Sequence, residues 1–283
     1  TTESIYDIAS ITKVVSITPI VMKLISRKQL RLDQPIYHFI PDFKGEGKEN
    51  ITIRHLLTHS SGIKSYHRFF LEEKYSERKD VLNEIIKMDL EFQPGSQFSY
   101  SDLGIILLME IVEMVSNRSL NKMTSSWLYR PLSMKSTMYN PKKELQSKIV
   151  PTEYDSLYRN RLIHGEVHDE NTYLMGGFSS HAGLFSTAED LANYAQMIIN
   201  NGTWLGQRML SESMIKDFTK RQYLPENSDY ALGWDTPSQN GKSSAGDYFS
   251  NTSFGHLGFT GTSLWIDPKE KIIVILLTNR VHP

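Results

Sequence analysis

The chain has 283 residues, of which 39% are hydrophobic and 22% charged, as is ordinary for a globular protein with an apolar core. Its 31 basic and 32 acidic side chains give a net charge of −1, so no basic field indicates binding of nucleic acid or an anionic membrane. The absence of cysteine excludes disulfides, thiolate zinc sites and cysteine nucleophiles. The longest apolar run, Ile272–Leu277, is too short to span a bilayer. We therefore expect an enzyme or a binding module.

The first predicted element is a buried helix from Ser10 to about Gln29, because its apolar residues recur with helical spacing around most of the circumference. Pro19 lies inside it and should kink the helix or remove a backbone hydrogen bond. Similar patterns predict helices at 54–59, 79–88, 102–117, 120–129, 187–200 and 211–218. Scattered Gly, Pro, Asn and Ser residues predict loops from 130 to 185.

The last quarter of the chain has the pattern of an antiparallel sheet. Short β-branched or aromatic runs predict strands at Ala231–Trp234, Ser253–His256, Thr262–Ile266 and Ile272–Thr278. The fold class is therefore α+β. We expect residues 1–28 and 228–283 to form an α/β sheet region and residues 29–227 a helical, loop-rich lobe of the same interlocked unit.

Both ends of the sequence are unusual for a complete domain. Ile272–Leu277 is apolar on both faces, so each face needs cover, yet only a few residues follow it. The central helix begins after only nine residues. We expect a stretch of a longer protein, with more sheet before Thr1 and a helix after Pro283.

A lysine three residues after a serine can activate it, because the two share one helix face. The pattern Ser-x-x-Lys occurs five times, beginning at Ser10, Ser61, Ser76, Ser119 and Ser213. Only Ser10 opens a buried helix, where backbone amides can hold an oxyanion and apolar surroundings would lower the pKa of Lys13. On residue type alone, Ser10 is better interpreted as a helix N-cap.

Tyr100 could supply a second base if neighbouring cations depress its pKa. It stands between a Pro-Gly turn and an apolar helix, whereas Tyr158-Arg159-Asn160 is a competing match in a loop. A packing role is the default for any tyrosine. Near the end of the chain, His256 and Gly258 begin a glycine-rich strand edge that a ligand could approach closely, although a tight turn explains it too.

A weak metal-site hypothesis rests on His164, Glu166 and His168, which alternate and would share a face in an extended segment, with Asp169 beside them. Their spacing is not a recognised zinc signature. No phosphate-binding loop, dinucleotide fingerprint or zinc-protease motif occurs. We therefore assign no metal and no cofactor, and keep the cluster as a minor alternative.

Four segments in chain order, Ile8–Lys13, Ile53–Gly62, Tyr100-Ser101-Asp102 and Gly255–Gly258, resemble the serine β-lactamase and penicillin-binding-protein superfamily. They fit its class C β-lactamase, D-alanyl-D-alanine carboxypeptidase and esterase branch. Residues 168–187 look like the loop and helix start that flank that family's site. The chain also resembles modules fused to glycoside hydrolase family 3 N-acetylglucosaminidases. The implied fold is β-lactamase/transpeptidase-like, with an antiparallel sheet, flanking helices and a mostly helical lobe.

The resemblance implies roles for individual residues. Ser10 matches the acylated nucleophile, Lys13 its base, and Tyr100 the residue that carries the proton to the leaving group. The backbone amides of Ser10 and Phe259 are expected to form the oxyanion hole.

Other matches imply substrate contacts. His256 and Gly258 match the family's Lys-Thr-Gly strand motif, and His181-Ala182-Gly183 is a rival match to it. Asp102 stands where β-lactamases usually have Asn, beside the acyl group. We assign Asp102, His181, His256, Gly258 and Phe259 to substrate binding or the oxyanion hole.

The implied function is a serine hydrolase that forms an acyl-enzyme on Ser10. We expect an esterase or a peptidoglycan-related D-amino-acid amidase or carboxypeptidase. β-Lactamase activity should be weak, because Asp102, Leu257 and His256 replace the usual Asn, Thr and Lys. The alternative is that nearby groups such as His181 or Arg159 rebuild the contact to the substrate carboxylate.

The substrate is expected to be a small molecule or a fragment of peptidoglycan, with no nucleic acid and no membrane span. By resemblance, the location would be the bacterial envelope or periplasm. A catalytically silent binding module on the same scaffold is the main alternative, and a metal-dependent hydrolase a distant third.

Overall fold

The computed structural model describes residues 1–239 and 241–283. Its α-helices in these ranges are α1 Thr18–Ser26, α2 Ile53–Leu57, α3 Arg78–Lys87, α4 Asp102–Ser116, α5 Leu120–Thr124, α6 Glu170–Leu174, α7 Ala188–Ile199 and α8 Glu212–Thr219. Two π-helical turns, Lys13–Ile17 and Ser125–Tyr129, precede α1 and follow α5. Short 3₁₀ helices occur at Ile36–His38, Lys48–Asn50, Phe69–Leu71 and Lys143–Lys148.

The strands in the same ranges are β1 Tyr6–Asp7, β2 Met138–Tyr139, β3 Tyr154–Asp155, β4 Arg161–Leu162, β5 Leu184–Ser186, β6 Thr203–Trp204, β7 Gln207–Arg208, β8 Phe254–Gly258, β9 Thr262–Asp267 and β10 Ile272–Leu277. They form two antiparallel three-stranded sheets, ordered β1-β5-β2 and β10-β9-β8, and two isolated hairpins. The fold is α+β with small antiparallel sheets, as the sequence predicts.

The apolar core surrounds the first helix and α4. The π turn before α1 is completely buried, and α4 buries every residue from Leu103 to Met109. α4 contacts both the π turn and α1, and α7 covers β9 and β10 from one side. The predicted buried helix is therefore confirmed. The candidate nucleophile Ser10 stands directly before its first residue.

The winding of this helix changes from π to α next to Pro19. The proline is the second residue of α1, and α1 follows directly on the π turn. A proline has no N–H and crowds the carbonyls one turn earlier, which then need other donors. Two buried tyrosine hydroxyls supply them: Tyr194 donates to the carbonyl of Val14 at 2.6 Å and Tyr129 to that of Val15 at 3.4 Å.

Other predicted elements are found with changes. The helices expected at 54–59, 79–88, 102–117, 187–200 and 211–218 are confirmed, and that at 120–129 is α-helical only to Thr124. The region 130–185, expected to be loops, also contains β2, β3, β4, α6 and the start of β5.

The predicted strand Ala231–Trp234 is wrong. These residues form a turn, in which the amide of Ala231 donates to the carbonyl of Trp234 at 2.8 Å. Gly233 has a φ of +84°, which a strand residue does not adopt. The apolar composition of this run suggested a strand. In the structure it reflects the burial of the turn.

The two faces of β10 differ in exposure. Ile273, Ile275 and Leu277 are half-buried against the core, whereas the side chains of Ile272, Val274 and Leu276 are about half exposed. An apolar strand therefore has one exposed face in the structure. No helix in the described ranges is both long and apolar enough to cross a membrane.

We predict that Tyr194→Phe destabilises the fold by about 1–3 kcal/mol, because it leaves the buried carbonyl of Val14 without its donor. Urea unfolding monitored by circular dichroism measures the difference. Tyr223→Phe is the matched control, since Tyr223 is 56% exposed and should change stability little. Equal stability of both variants would contradict the role given to the Tyr194 hydroxyl.

Candidate active site

Ser10 directly follows a strained residue. Ala9 has a φ of +46°, which costs free energy for a residue with a side chain, and its amide donates to Oδ1 of Asp7 at 2.8 Å. Oδ2 of Asp7 accepts a hydrogen bond from the amide of His168 at 2.7 Å. The buried carboxylate of Asp7 therefore fixes the turn that presents Ser10.

The strand β8 comes very close to the same turn at Gly258. A Cβ on Gly258 would lie 2.6 Å from the carbonyl oxygen of Ile8 and 2.0 Å from Oγ1 of Thr262. The space that a side chain would need is therefore taken by the backbone of Ile8 and the side chain of Thr262, while Gly258 also lines a cavity beside Ser10. Thr260 and Thr262 donate to the carbonyls of Asp7 and Ile8, which joins the two segments further.

Lys13 is the most constrained charged residue of the site. Its side chain is only 1% exposed, and its Nζ lies 3.0 Å from Oγ of Ser10 and 2.7 Å from Oδ1 of Asp102. Nζ also donates to the carbonyl of His181 at 3.0 Å. Burial lowers the pKa of Lys13, while the neighbouring Asp102 acts in the opposite direction. The ammonium is therefore less favoured here than in water, as predicted.

Asp102 is held by the start of α4. Ser101 caps this helix: its hydroxyl accepts from the amide of Gly104 at 3.0 Å and donates to the carbonyl of Lys64 at 2.8 Å. The amide of Ser101 donates to Nδ1 of His59 at 3.1 Å. These bonds fix the residues on both sides of Ser101, namely Tyr100 and Asp102.

Tyr100 lies in a group of aromatic rings. The ring of His59 is 4.5 Å away, that of His256 is 5.9 Å away, and Nζ of Lys13 is 4.8 Å from the Tyr100 ring centre. Burial raises the pKa of Tyr100 well above its usual value, and Asp102 raises it further. The condition under which Tyr100 could act as a base, a pKa depressed by cations, is not met in the free protein, because burial dominates.

The side chain of Ser10 is close enough to the Tyr100 hydroxyl to lower the pKa of Tyr100, against the larger effect of burial. His59 was given no role by the sequence analysis. His59 lies in the segment Ile53–Gly62 that carries part of the family resemblance, but nothing in the sequence indicated that its ring packs against Tyr100.

His256 is a neutral histidine. It is 4% exposed, its Nδ1 donates to the carbonyl of Leu257 at 2.7 Å, and its Nε2 accepts from the hydroxyl of Tyr230 at 3.2 Å. Burial and the charge of Lys13 lower the pKa of His256 from 6.5 to about 4. A histidine at this position could carry at most a part-time positive charge at neutral pH, and burial makes even that charge unfavourable here.

Neither of the two residues that could have replaced the missing cation is free to do so. The ring of His181 contacts Asp169 through Nε2 at 3.0 Å and Ser179 through Nδ1 at 2.8 Å. Arg159 is 4% exposed and is bound to Asp155 at 2.6 Å and to the carbonyls of Val167 and His168. The polar atoms of both side chains are therefore bound by other groups of the protein.

The alternating residues of the metal hypothesis do not converge. His164 contacts backbone carbonyls through Nε2, Glu166 pairs with Arg161, and His168 pairs with Glu153. No group of three potential ligands that could hold a metal ion is found within residues 1–239 and 241–283.

Two cavities meet at Ser10, and Ser10, Tyr100 and Phe259 line both. One, of about 900 Å³, is here named the β8 chamber and is lined by His256, Leu257, Tyr230, Asp235 and Arg280. The other, of about 650 Å³, is named the acidic chamber and is lined by Tyr66, Asp102, Glu153, Asp169 and Glu170. Glu170 lies in the segment 168–187 that the resemblance places beside the site, but neither Glu170 nor Arg280 was assigned a role from the sequence.

The fold and the site define a class of protein. Residues 1–283 match the model of the Beta-lactamase family. The chain is 33% identical to an N-acetylmuramyl-L-alanine amidase of Bacillus subtilis, over 99% of this chain and 69% of that protein. It is 32% identical to a protein of Salmonella agona named as a D-alanyl-D-alanine carboxypeptidase, over 100% of this chain and 71% of that protein.

Among solved structures, a penicillin-binding protein homologue from Pyrococcus abyssi that is described as octameric superimposes with a TM-score of 0.76. Their sequences are 26% identical, and the match covers 100% of this chain and 64% of that one. The chain therefore belongs to the β-lactamase family, and its fold is of the β-lactamase and penicillin-binding-protein type.

We predict that stability falls on acidification partly through His256. Its folded pKa of about 4 lies below the usual 6.5, so the unfolded chain binds more protons between these values and stability is lost as the pH falls through them. The contribution from about pH 7 to about pH 4.5 is roughly 2 kcal/mol.

Urea unfolding of the protein and of His256→Gln at the two pH values tests this prediction. The variant should lose less stability than the parent, while His38→Gln, which changes an exposed histidine, should lose as much as the parent. An unchanged acid dependence in His256→Gln would show that His256 titrates normally.

Proposed function

We propose that this protein is a serine hydrolase that forms an acyl-enzyme on Ser10. The observation that carries the proposal is the buried amine of Lys13, 3.0 Å from Oγ of Ser10, with its pKa lowered by burial. A lysine whose pKa is lowered by burial gives up its proton more readily than a lysine in water, which makes it a better base for a serine hydroxyl. Family membership supports the same chemistry.

In the proposed first step, Lys13 accepts the hydroxyl proton while Oγ of Ser10 attacks the substrate carbonyl. The amides of Ser10 and Phe259 would stabilise the oxyanion, and neither donates to another described residue. Tyr100 then gives its proton to the leaving group and recovers one from Lys13. Its raised pKa favours this donor role, since the phenol is protonated in the free protein.

In the proposed second step, a water molecule attacks the acyl-enzyme. A proton of this water passes through the same groups to Oγ of Ser10. The bond between Oγ and the acyl group breaks, and the acyl group is released as a free acid. The enzyme is restored without a metal or a cofactor.

A silent binding module on this scaffold is the alternative. It is less well supported because burying a lysine is costly, and a protein without catalysis would gain nothing from keeping Lys13 beside Ser10. The names of the relatives, an amidase and a carboxypeptidase, also favour an enzyme acting on peptidoglycan-derived amides. The bacterial envelope or periplasm would be the corresponding location.

The β8 chamber supports the proposed limit on specificity. Neutral His256 and apolar Leu257 stand where the family's lysine and threonine would contact a substrate carboxylate. Arg280 is a remaining cation, but its Nε donates to the carbonyl of Phe259 at 2.7 Å and its guanidinium lies over the Phe259 ring. We therefore propose an esterase or D-amino-acid amidase or carboxypeptidase with weak β-lactamase activity.

We predict that a fluorescent fluorophosphonate or penicillin labels the protein and that Ser10→Ala abolishes the label. The matched control is Ser213→Ala, which removes another serine of a Ser-x-x-Lys pattern on α8. In-gel fluorescence and mass spectrometry of the labelled peptide make the measurement. Label that survives in Ser10→Ala, or no label on any serine, would refute the proposed nucleophile.

We also predict that kcat/KM for a short-chain p-nitrophenyl ester exceeds that for a chromogenic cephalosporin by roughly 100-fold or more. Two lost hydrogen bonds to a charged carboxylate, each worth about 1.5–3 kcal/mol, account for this ratio. An activated ester needs no such anchor. Comparable rates for both substrates would show that the carboxylate contact is rebuilt, and Arg280→Ala would then test the remaining cation.

A further inference from the structure

The direction in which the neutral amine of Lys13 points is set by its three neighbours. Nζ lies 2.7 Å from Oδ1 of Asp102, and it donates to the carbonyl of His181 at 3.0 Å. A carboxylate and a carbonyl can only accept, so they take the two N–H groups of an unprotonated amine. The lone pair of the nitrogen then faces the remaining neighbour, Oγ of Ser10, at 3.0 Å. The carbonyl of His181 is therefore one of two acceptors that direct the lone pair towards this hydroxyl.

The ring of His181 is held at both of its nitrogen atoms. The side chain is 1% exposed, and its Nε2 lies 3.0 Å from Oδ1 of Asp169 and 3.2 Å from Oγ1 of Thr172. Its Nδ1 lies 2.8 Å from Oγ of Ser179. Burial acts to raise the pKa of Asp169, but the neighbouring His181 outweighs it and keeps this pKa well below its usual value. Because an ionised carboxylate only accepts, Nε2 carries the proton of this contact.

The partners of the ring belong to a segment that packs on the backbone next to His181. Asp169 caps α6, since its Oδ1 accepts from an amide of that helix at 2.6 Å. Gly183 has a φ of +103°, and a Cβ there would lie 3.0 Å from Cγ2 of Thr172. The hydroxyl of Ser180 donates to a carbonyl of α4 at 2.7 Å. The peptide that carries the carbonyl of His181 is therefore held between α4 and α6, and the ring is its link to α6.

We propose that Asp169 and the ring of His181 form a positioning pair for Lys13, because their contact holds the peptide whose carbonyl directs the amine towards Ser10. The inference rests on the proposed function, in which Lys13 is the base. It gives His181 a role that needs no contact between its side chain and the substrate, although both members of the pair line a cavity beside Ser10. Of the two ring nitrogens, the one that matters is Nε2, since it reaches the carboxylate.

Two amide side chains of different length test this role. In His181→Gln the amide nitrogen can take the place of Nε2 and donate to Asp169, whereas in His181→Asn it takes the place of Nδ1 and falls short. Single-turnover release of p-nitrophenol from a short-chain ester, with enzyme in excess, gives the acylation rate constant and the dissociation constant separately. We expect His181→Asn to lower the rate constant about 10–100-fold and to keep the dissociation constant within about twofold. His181→Gln should keep the rate constant within about threefold of the parent.

The matched control is His67→Asn, which shortens another histidine bound to a carboxylate, that of Glu72 at 2.6 Å. Both constants should stay at the parent values in this control. Asp169→Ala removes the contact from the other side and should slow acylation as His181→Asn does, so it carries the test if circular dichroism shows that His181→Asn does not fold. An unchanged rate constant, a weaker dissociation constant as the sole effect, or an equal loss in His181→Gln would overturn the inference.

The position of the amine also has a readout that needs no catalysis. In protein labelled with ¹³C at the ε carbon of lysine, the NMR signal of Lys13 is assigned by its absence in Lys13→Arg, and the Tyr100 ring, 4.8 Å from Nζ, makes its shift sensitive to position. We expect the parent and His181→Gln to share this shift and His181→Asn to change it. If Ser10 is not acylated but the signal moves in this way, the function fails and the inference stands. If Ser10 is acylated and neither the signal nor the acylation rate depends on His181, the inference fails and the function stands.

Discussion

The burial of Lys13 is the constraint on which the site depends. An ammonium inside an apolar helix is tolerated only if other groups compensate for the lost water, and here they are Asp102, the carbonyl of His181 and the hydroxyl of Ser10. Each of these partners comes from a different part of the chain. The contacts that compensate for burial of the amine therefore fix the relative positions of three segments. The same burial lowers the pKa of Lys13, as its proposed role as a base requires.

The backbone around Ser10 is fixed from two sides by different means. On one side, Gly258 lets β8 approach the carbonyl of Ile8, and threonine hydroxyls bind the same turn. On the other side, the π turn before α1 presents carbonyls to buried tyrosines. A serine nucleophile, the role proposed for Ser10, needs little reorganisation to reach a bound carbonyl when its backbone is held by such contacts, which is the arrangement that positional catalysis favours.

The two chambers that meet at Ser10 differ in charge. In the β8 chamber, burial keeps His256 neutral. In the acidic chamber, Asp102, Asp169 and Glu170 together raise the pKa of Tyr66. Since both chambers share Ser10 and Tyr100, one serine can be served by two unlike binding surfaces. Under the proposed function, specificity would depend on which charges burial preserves and which it removes, more than on Ser10, Lys13 and Tyr100 themselves.

The sequence by itself determined the elements with strong local signals: the buried first helix, the capped helices and the hairpin of β9 and β10, because periodicity and turn residues are local properties. It also determined Ser10 and Lys13 as a pair, because helical spacing puts both on one face. Only the tertiary structure decided that residues 231–234 form a buried turn, that His256 is neutral, and that Tyr100 keeps its proton. These outcomes depend on burial and on contacts between distant segments, which residue type and spacing do not encode.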